Sequence, residues 1–165
     1  VRDPSRGLAP LLLGGGQESG FRSGTLNVPG IVGFGVACEI ALASRKHDLQ
    51  HAKELRATIL TELADIEHRV HADGSPYILS ISFKGIEAQA LLVELDNLGF
   101  AVSSGAACSS DSTEPSHILL ALGVPPDWRR GTVRVSFGRY NTQVCARELG
   151  QAIATLVSKL NELRR

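Results

Sequence analysis

The strongest constraint on the fold is a change in apolar period along the chain. Between Asp48 and Ile66, the apolar residues Leu49, Ala52, Leu55, Ile59, Leu63 and Ile66 recur three or four apart, which lines one face of a helix. Gly74, Ser75 and Pro76 then break the chain. Within 78–83 the period drops to two, so Leu79, Ile81 and Phe83 share one face of a strand and Ser80 and Ser82 the other. The switch repeats downstream. A helix is expected over 87–98, stopped by Gly99, followed by a short strand over 100–103. Pro115 opens a short helix to Leu122, and Gly123 ends it. A strand over 132–137 turns Val133, Val135 and Phe137 inward and Arg134 to the opposite face, with Thr132 and Ser136. The last helix covers 142–163, with Leu149, Ile153, Leu156, Leu160 and Leu163 on its buried stripe. Strands alternating with helices imply an α/β layer.

Upstream of this pattern, 1–30 is rich in Gly and Pro and reads as loop or close-approach backbone. The stretch 31–43 is apolar and helix-compatible, and its Gly33 and Gly35 suggest close packing. A chain of 165 residues supports one domain or a domain and a fraction. Its 17 basic and 17 acidic residues cancel, so no global field favours nucleic acid or an anionic membrane. No stretch approaches ~20 uninterrupted apolar residues, so no membrane span is expected, and no signal peptide opens the chain. Three cysteines make an odd count, too few for a disulfide scaffold, which favours a reducing, cytoplasmic setting. The chain begins at Val1 and contains no methionine, which points to a piece of something larger.

Three places can carry chemistry. Cys108 sits among Gly, Ala, Ser, Asp and Thr, with no bulky anchor between Ser103 and Glu114. A nucleophilic thiol needs exposure and a stabilised thiolate, and a polar loop supplies at least the exposure. The alternative is an incidental surface thiol. Cys38 and Cys145 fall in expected helices and read as core or neutral positions. Arg134 could clamp a carboxylate bidentately from its strand face, or be an ordinary surface arginine. The glycine run from Gly14 to Thr25 lets backbone approach an anion, with Arg22, Ser23 and Thr25 within reach of phosphate oxygens. It is not a Walker loop, because no Gly-Lys-Ser/Thr follows. The histidine pairs His47/His51 and His68/His71 have metal-ligand spacing but no third ligand nearby, so they read as solvated helix faces and turns. His117 reads as structural.

Together, three segments resemble the cysteine desulfurase family, pyridoxal-phosphate enzymes of the class V aminotransferase group. They are GGGQESGFRSGTLNVPG from Gly14, SSGAACSSDSTEPSHILLA from Ser103 and VRVSFGRYNT from Val133. The similarity continues through YILSISFKGIEAQALLVELDNLGFAVSSG. The resemblance implies a fold-type I enzyme, with 1–45 the tail of its large cofactor domain and 46–165 its small C-terminal α/β domain. It makes Cys108 the catalytic cysteine that becomes a persulfide and Arg134 the holder of the substrate carboxylate. Thr25 would reach across a homodimer interface to the cofactor phosphate. The long small-residue loop resembles the branch that delivers sulfur from L-cysteine to iron–sulfur scaffolds or other acceptor proteins. The chain departs from the family: Lys46, Lys53, Lys84 and Lys159 all lack the His-Lys context of the imine-forming lysine, and the family's cofactor-stacking histidine and the acidic partner of the pyridine nitrogen also lie upstream of the matched segments. A non-catalytic sulfur-accepting or scaffold-docking module, or a selenocysteine lyase, therefore stands beside the desulfurase reading.

Overall fold

The computed structural model describes residues 7, 9–71, 74–104 and 116–163. The chain divides into two compact units, Val1–Ser44 and Arg45–Arg165.

In the first unit, a single 3-10 turn at Glu18–Gly20 follows the glycine run. The hydrogen bond from Ser23 N to Leu12 O (3.2 Å) closes the loop around it. Helix α1 (Val28–Glu62) begins here and continues into the second unit. Asn27 caps it, its Oδ1 accepting from Gly30 N at 3.1 Å, and Pro29 occupies the first turn, where its missing N–H costs nothing. The sequence favours separate helices over 31–43 and 48–66, but α1 is continuous. Residues 44–47 are Ser-Arg-Lys-His, with no Gly or Pro to break the ladder.

The second unit is a three-stranded antiparallel sheet, ordered β1 (His68–His71), β2 (Ile78–Phe83), β3 (Thr132–Ser136). Helices α2 (Ala88–Asn97) and α5 (Gln143–Glu162) supply most of the helical side of its core. The period-two residues Leu79, Ile81, Phe83, Val133 and Val135 join Leu91 and Leu95 of α2 and Ile153, Leu156 and Val157 of α5. Leu55, Ile59 and Leu63, from the helical stripe read in the sequence, complete that core. Thr142 caps α5 as its hydroxyl accepts from Cys145 N at 3.2 Å. Two short helices, α3 (His117–Ala121) and α4 (Pro126–Arg129), lead into β3.

The structure departs from or narrows the sequence reading at several points. Strand β1 and helix α4 are not anticipated, because four residues are too few to establish a period. The strand expected over 100–103 reduces to one bridge, Ser103 to Arg134. Of the two alternatives left for Cys38 and Cys145, core or neutral, exposure of both excludes the core. The N-terminal part of α1 leaves Ile31, Val32, Phe34, Val36, Ile40 and Leu42 exposed. By length and composition alone, α1 is long and apolar enough to cross a membrane. The expectation of no such span rested on uninterrupted runs, which Glu39 and Arg45 interrupt without removing the overall apolar content.

Candidate functional site

The second face of the sheet carries the candidate arginine and a set of polar side chains. The alternation that buries Leu79, Ile81, Val133 and Val135 turns Ser80, Ser82, Thr132 and Arg134 to the other side. Register aligns them in two cross-strand rows: Arg69, Ser82 and Thr132 in one, His71, Ser80 and Arg134 in the next. The sequence reading treats this face as outward. The structure instead buries Ser82 and Thr132 and leaves Arg134 half-buried.

Arg134 is held by its main chain from both sides. It pairs with Ser80 of β2, and on its other edge it exchanges two hydrogen bonds with Ser103. Arg134 N donates to Ser103 O at 2.6 Å, and Ser103 N donates to Arg134 O at 3.1 Å. Ser103 is thus pinned to the backbone of the strand that bears the guanidinium, five positions before Cys108. Cys108 itself lies outside the described residues.

Thr25 belongs to the first unit and is exposed, immediately after a glycine in the left-handed region (Gly24, φ 106°). The Arg22 guanidinium donates to the carbonyls of Gly24 (3.2 Å) and Thr25 (2.9 Å), fixing the turn that presents the Thr25 hydroxyl. Gly24 N in turn donates to Gln17 Oε1 at 3.1 Å. Such a turn suits a phosphate oxygen. Lys46, Lys53, Lys84 and Lys159 are all exposed, and none lies on the strands that form Arg134's face. Thr25 is thus a residue that could contact the phosphate of pyridoxal phosphate, while the four lysines lie on α1, just after β2 and on α5.

The histidines divide. His47 and His51 stack at 6.1 Å on α1. His51 Nε2 bonds Asn141 O at 2.8 Å, and Arg139 pairs with Asp48 at 3.1 Å, so both tie the 138–142 turn to the helix. Among the described residues, no group of three or more His, Cys, Asp or Glu could hold a metal ion. His71 overturns its reading as a solvated turn residue. It is buried, with Nε2 2.5 Å from Ser82 Oγ, which lies 2.5 Å from Thr132 Oγ1. Burial, and secondarily the Arg69 charge, hold the His71 imidazole below its ordinary pKa of 6.5. The spacing Arg-x-His of β1 against Ser-x-Ser of β2 is the signal that could have found this cluster, had β1 been recognised as a strand.

A polar groove of about 810 Å³, lined among others by Lys84, Glu87, Asp127 and Arg130, does not include Arg134 or Ser103.

Comparison with known proteins agrees with this architecture. The chain is 40% identical over 161 residues to a cysteine desulfurase of Trichormus azollae, covering 93% of this chain and 40% of that protein. It is 42% identical over 168 residues to the cysteine desulfurase IscS of Vibrio atlanticus, covering 99% of this chain and 40% of that one. Among solved structures, a NifS-like protein superposes with a TM-score of 0.74 at 34% identity, over 92% of this chain and 39% of that chain. The chain thus spans about 40% of the length of the relatives it matches. The family model for aminotransferase class-V matches residues 7–146, and the chain belongs to that family.

Proposed function

We propose that this chain is part of a cysteine desulfurase, contributing the substrate-carboxylate clamp and the sulfur-accepting thiol. One observation carries the reading. The Ser103–Arg134 bridge joins the stem of the Cys108 segment to the strand bearing the guanidinium. Five residues separate Ser103 from Cys108, a covalent reach of at most about 18 Å. A carboxylate held by Arg134 and a thiolate on that segment can therefore address the two ends of one small amino acid.

In this reading, Arg134 binds the carboxylate of L-cysteine through paired N–H donors. Cys108 takes the substrate sulfur as a persulfide, and L-alanine leaves. Bound pyridoxal phosphate supplies the electron sink for that cleavage. Thr25 contacts its phosphate, across a homodimer interface if the arrangement follows the family. Residues 1–45 then belong to the large cofactor domain and 46–165 to the small one. The sulfur passes to an iron–sulfur scaffold or another acceptor in a reducing, cytoplasmic setting.

The placement of the four lysines favours a second reading, a module that accepts sulfur without forming it. Intact-mass spectrometry separates the possibilities. Treated with a persulfide donor, the chain should gain one sulfur on Cys108 that reductant removes, and Cys108→Ser should not. A persulfide on Cys38 or Cys145 instead would refute the assignment. Mixed with pyridoxal phosphate and desalted, the chain should retain no imine absorbance. A yellow species that borohydride fixes to one lysine would favour the enzyme over the module for this chain alone.

A further inference from the structure

The desulfurase reading leaves the His71–Ser82–Thr132 cluster without a task. It is a connected ladder across all three strands. His71 is 6%, Ser82 0% and Thr132 3% exposed. Imidazole Nε2, Ser82 Oγ and Thr132 Oγ1 follow at 2.5 Å steps, and the Thr132 hydroxyl lies 3.4 Å from Trp128 O on α4. The two hydroxyls can order their protons either way. If Thr132 donates to Trp128 O, then Ser82 donates to Thr132 and His71 donates to Ser82. In the reverse order, His71 Nε2 accepts. A neutral imidazole satisfies both.

A charged imidazole can keep only the first order, as the donor to Ser82, and it finds no counter-charge on this face. The charged strand residues on this face are Arg69 of β1 and Arg134 of β3, both cationic, and β2 contributes only Ser80 and Ser82 beside Ile78. From α4, Arg129 adds a further cation, its Nε donating to Val124 O. Asp127 of the same helix lines the groove with Lys84 and Glu87. Arg69 lies over the Trp128 ring, 5.6 Å from its centroid. Among the described residues, no carboxylate of the three strands shares this face. A buried cation without a counter-charge must regain water or lose its proton, and either change strains the closed ladder.

We propose that His71 is an acid-sensitive tie for the polar face of the sheet: neutral, it locks β1 to β2 and β3; protonated, it opens the ladder and loosens the Ser103–Arg134 bridge, which lies in its own cross-strand row. The sign follows from linkage. The unfolded imidazole titrates near 6.5 and the native one below it. Between those values the unfolded or opened chain binds the extra proton, so stability is full above 6.5 and falls as pH drops through the native value. Below both values the loss stops growing, at about tenfold in the opening equilibrium per unit separating them. The role of Arg134 as carboxylate clamp rests on the proposed function; the tie itself does not.

The test is hydrogen exchange on the intact 165-residue chain, read as protection factors between pH 7.5 and 5, together with NMR titration of the His71 ring. The ring should titrate below 6.5, and the amides of Ser103, Arg134, Ser82 and Val70 should lose protection as pH falls from 6.5 to the ring's own value, with no further loss below it. His71→Gln keeps an amide N–H donor but cannot titrate. It should remove the acid-dependent loss while leaving neutral-pH protection within a few-fold. A purely structural hydrogen bond would lower protection equally at every pH. Titration at or above 6.5 would overturn the proposal, as would Ser103 and Arg134 amides that stay protected through the ring's transition. So would an unchanged acid loss in His71→Gln. If that variant fails to fold, the ring and amide curves of the wild-type chain still decide. Neither readout involves a thiol, so persulfide chemistry on Cys108 can fail without touching this result.

Discussion

Replacing Gly131 with alanine tests how the second unit is stitched together. Gly131 is buried where α4 meets β3, and a Cβ there would fall against the carbonyl oxygen of Phe83, with Ile86 O at 3.0 Å. These are backbone atoms that cannot swing away. The same place carries Phe83 N to Gly131 O (3.1 Å), Gly85 N to Asp127 O (2.9 Å) and Ala88 N to Arg130 O (2.8 Å), which join the β2–α2 turn to the start of β3. Overpacking costs about 1–3 kcal/mol. Separating the strands enough to admit the methyl lengthens at least two of these bonds, at about 1 kcal/mol each. The total is about 3–5 kcal/mol. For a unit of about 120 residues this lowers Tm by roughly 12–20 °C, at about 4 °C per kcal/mol. Thermal denaturation followed by circular dichroism, with urea unfolding to confirm an unchanged m-value, measures it. A loss under about 1 kcal/mol would mean that the close approach of Gly131 to Phe83 is not a feature of the folded chain.

A glycine in open space should behave oppositely. Nothing lies within 4 Å of a Cβ at Gly33 in α1, so Gly33→Ala should raise the helicity of this chain, stabilising it by about 0.5–1 kcal/mol. Thr142→Ala removes the cap of α5 and should cost about 1 kcal/mol in urea unfolding, whereas Thr142→Ser should restore most of it. Ile153 is fully buried in the core, and Ile153→Ala should cost about 2–5 kcal/mol, readable as a lower urea midpoint.

Legibility in the sequence followed the length of each pattern. Helix α5 is bounded within a residue of expectation because a twenty-residue stripe and a threonine cap agree. Strands β2 and β3 declare themselves by alternating Leu, Ile, Phe and Val against Ser and Arg. Strand β1 has only Val70 as an apolar marker, and its place is fixed by pairing with β2 rather than by its own composition. The misreading of His71 follows directly: without a strand, nothing brings the imidazole over Ser82. Arg134 was legible as a face position, but not its main-chain partnership with Ser103, which depends on contacts thirty-one residues apart that no local period encodes. The continuity of α1 was missed because the apolar stripe changes character at residues 44–47 while the backbone does not.

The Ser103–Arg134 pairing also bears on how such a chain can be re-engineered. Because β3's own backbone holds Ser103, the anchor of the Cys108 segment and the strand that carries the guanidinium are one mechanical part. A substitution that shifts β3 along β2 would carry both, so the two halves of the proposed chemistry cannot be displaced independently through the sheet.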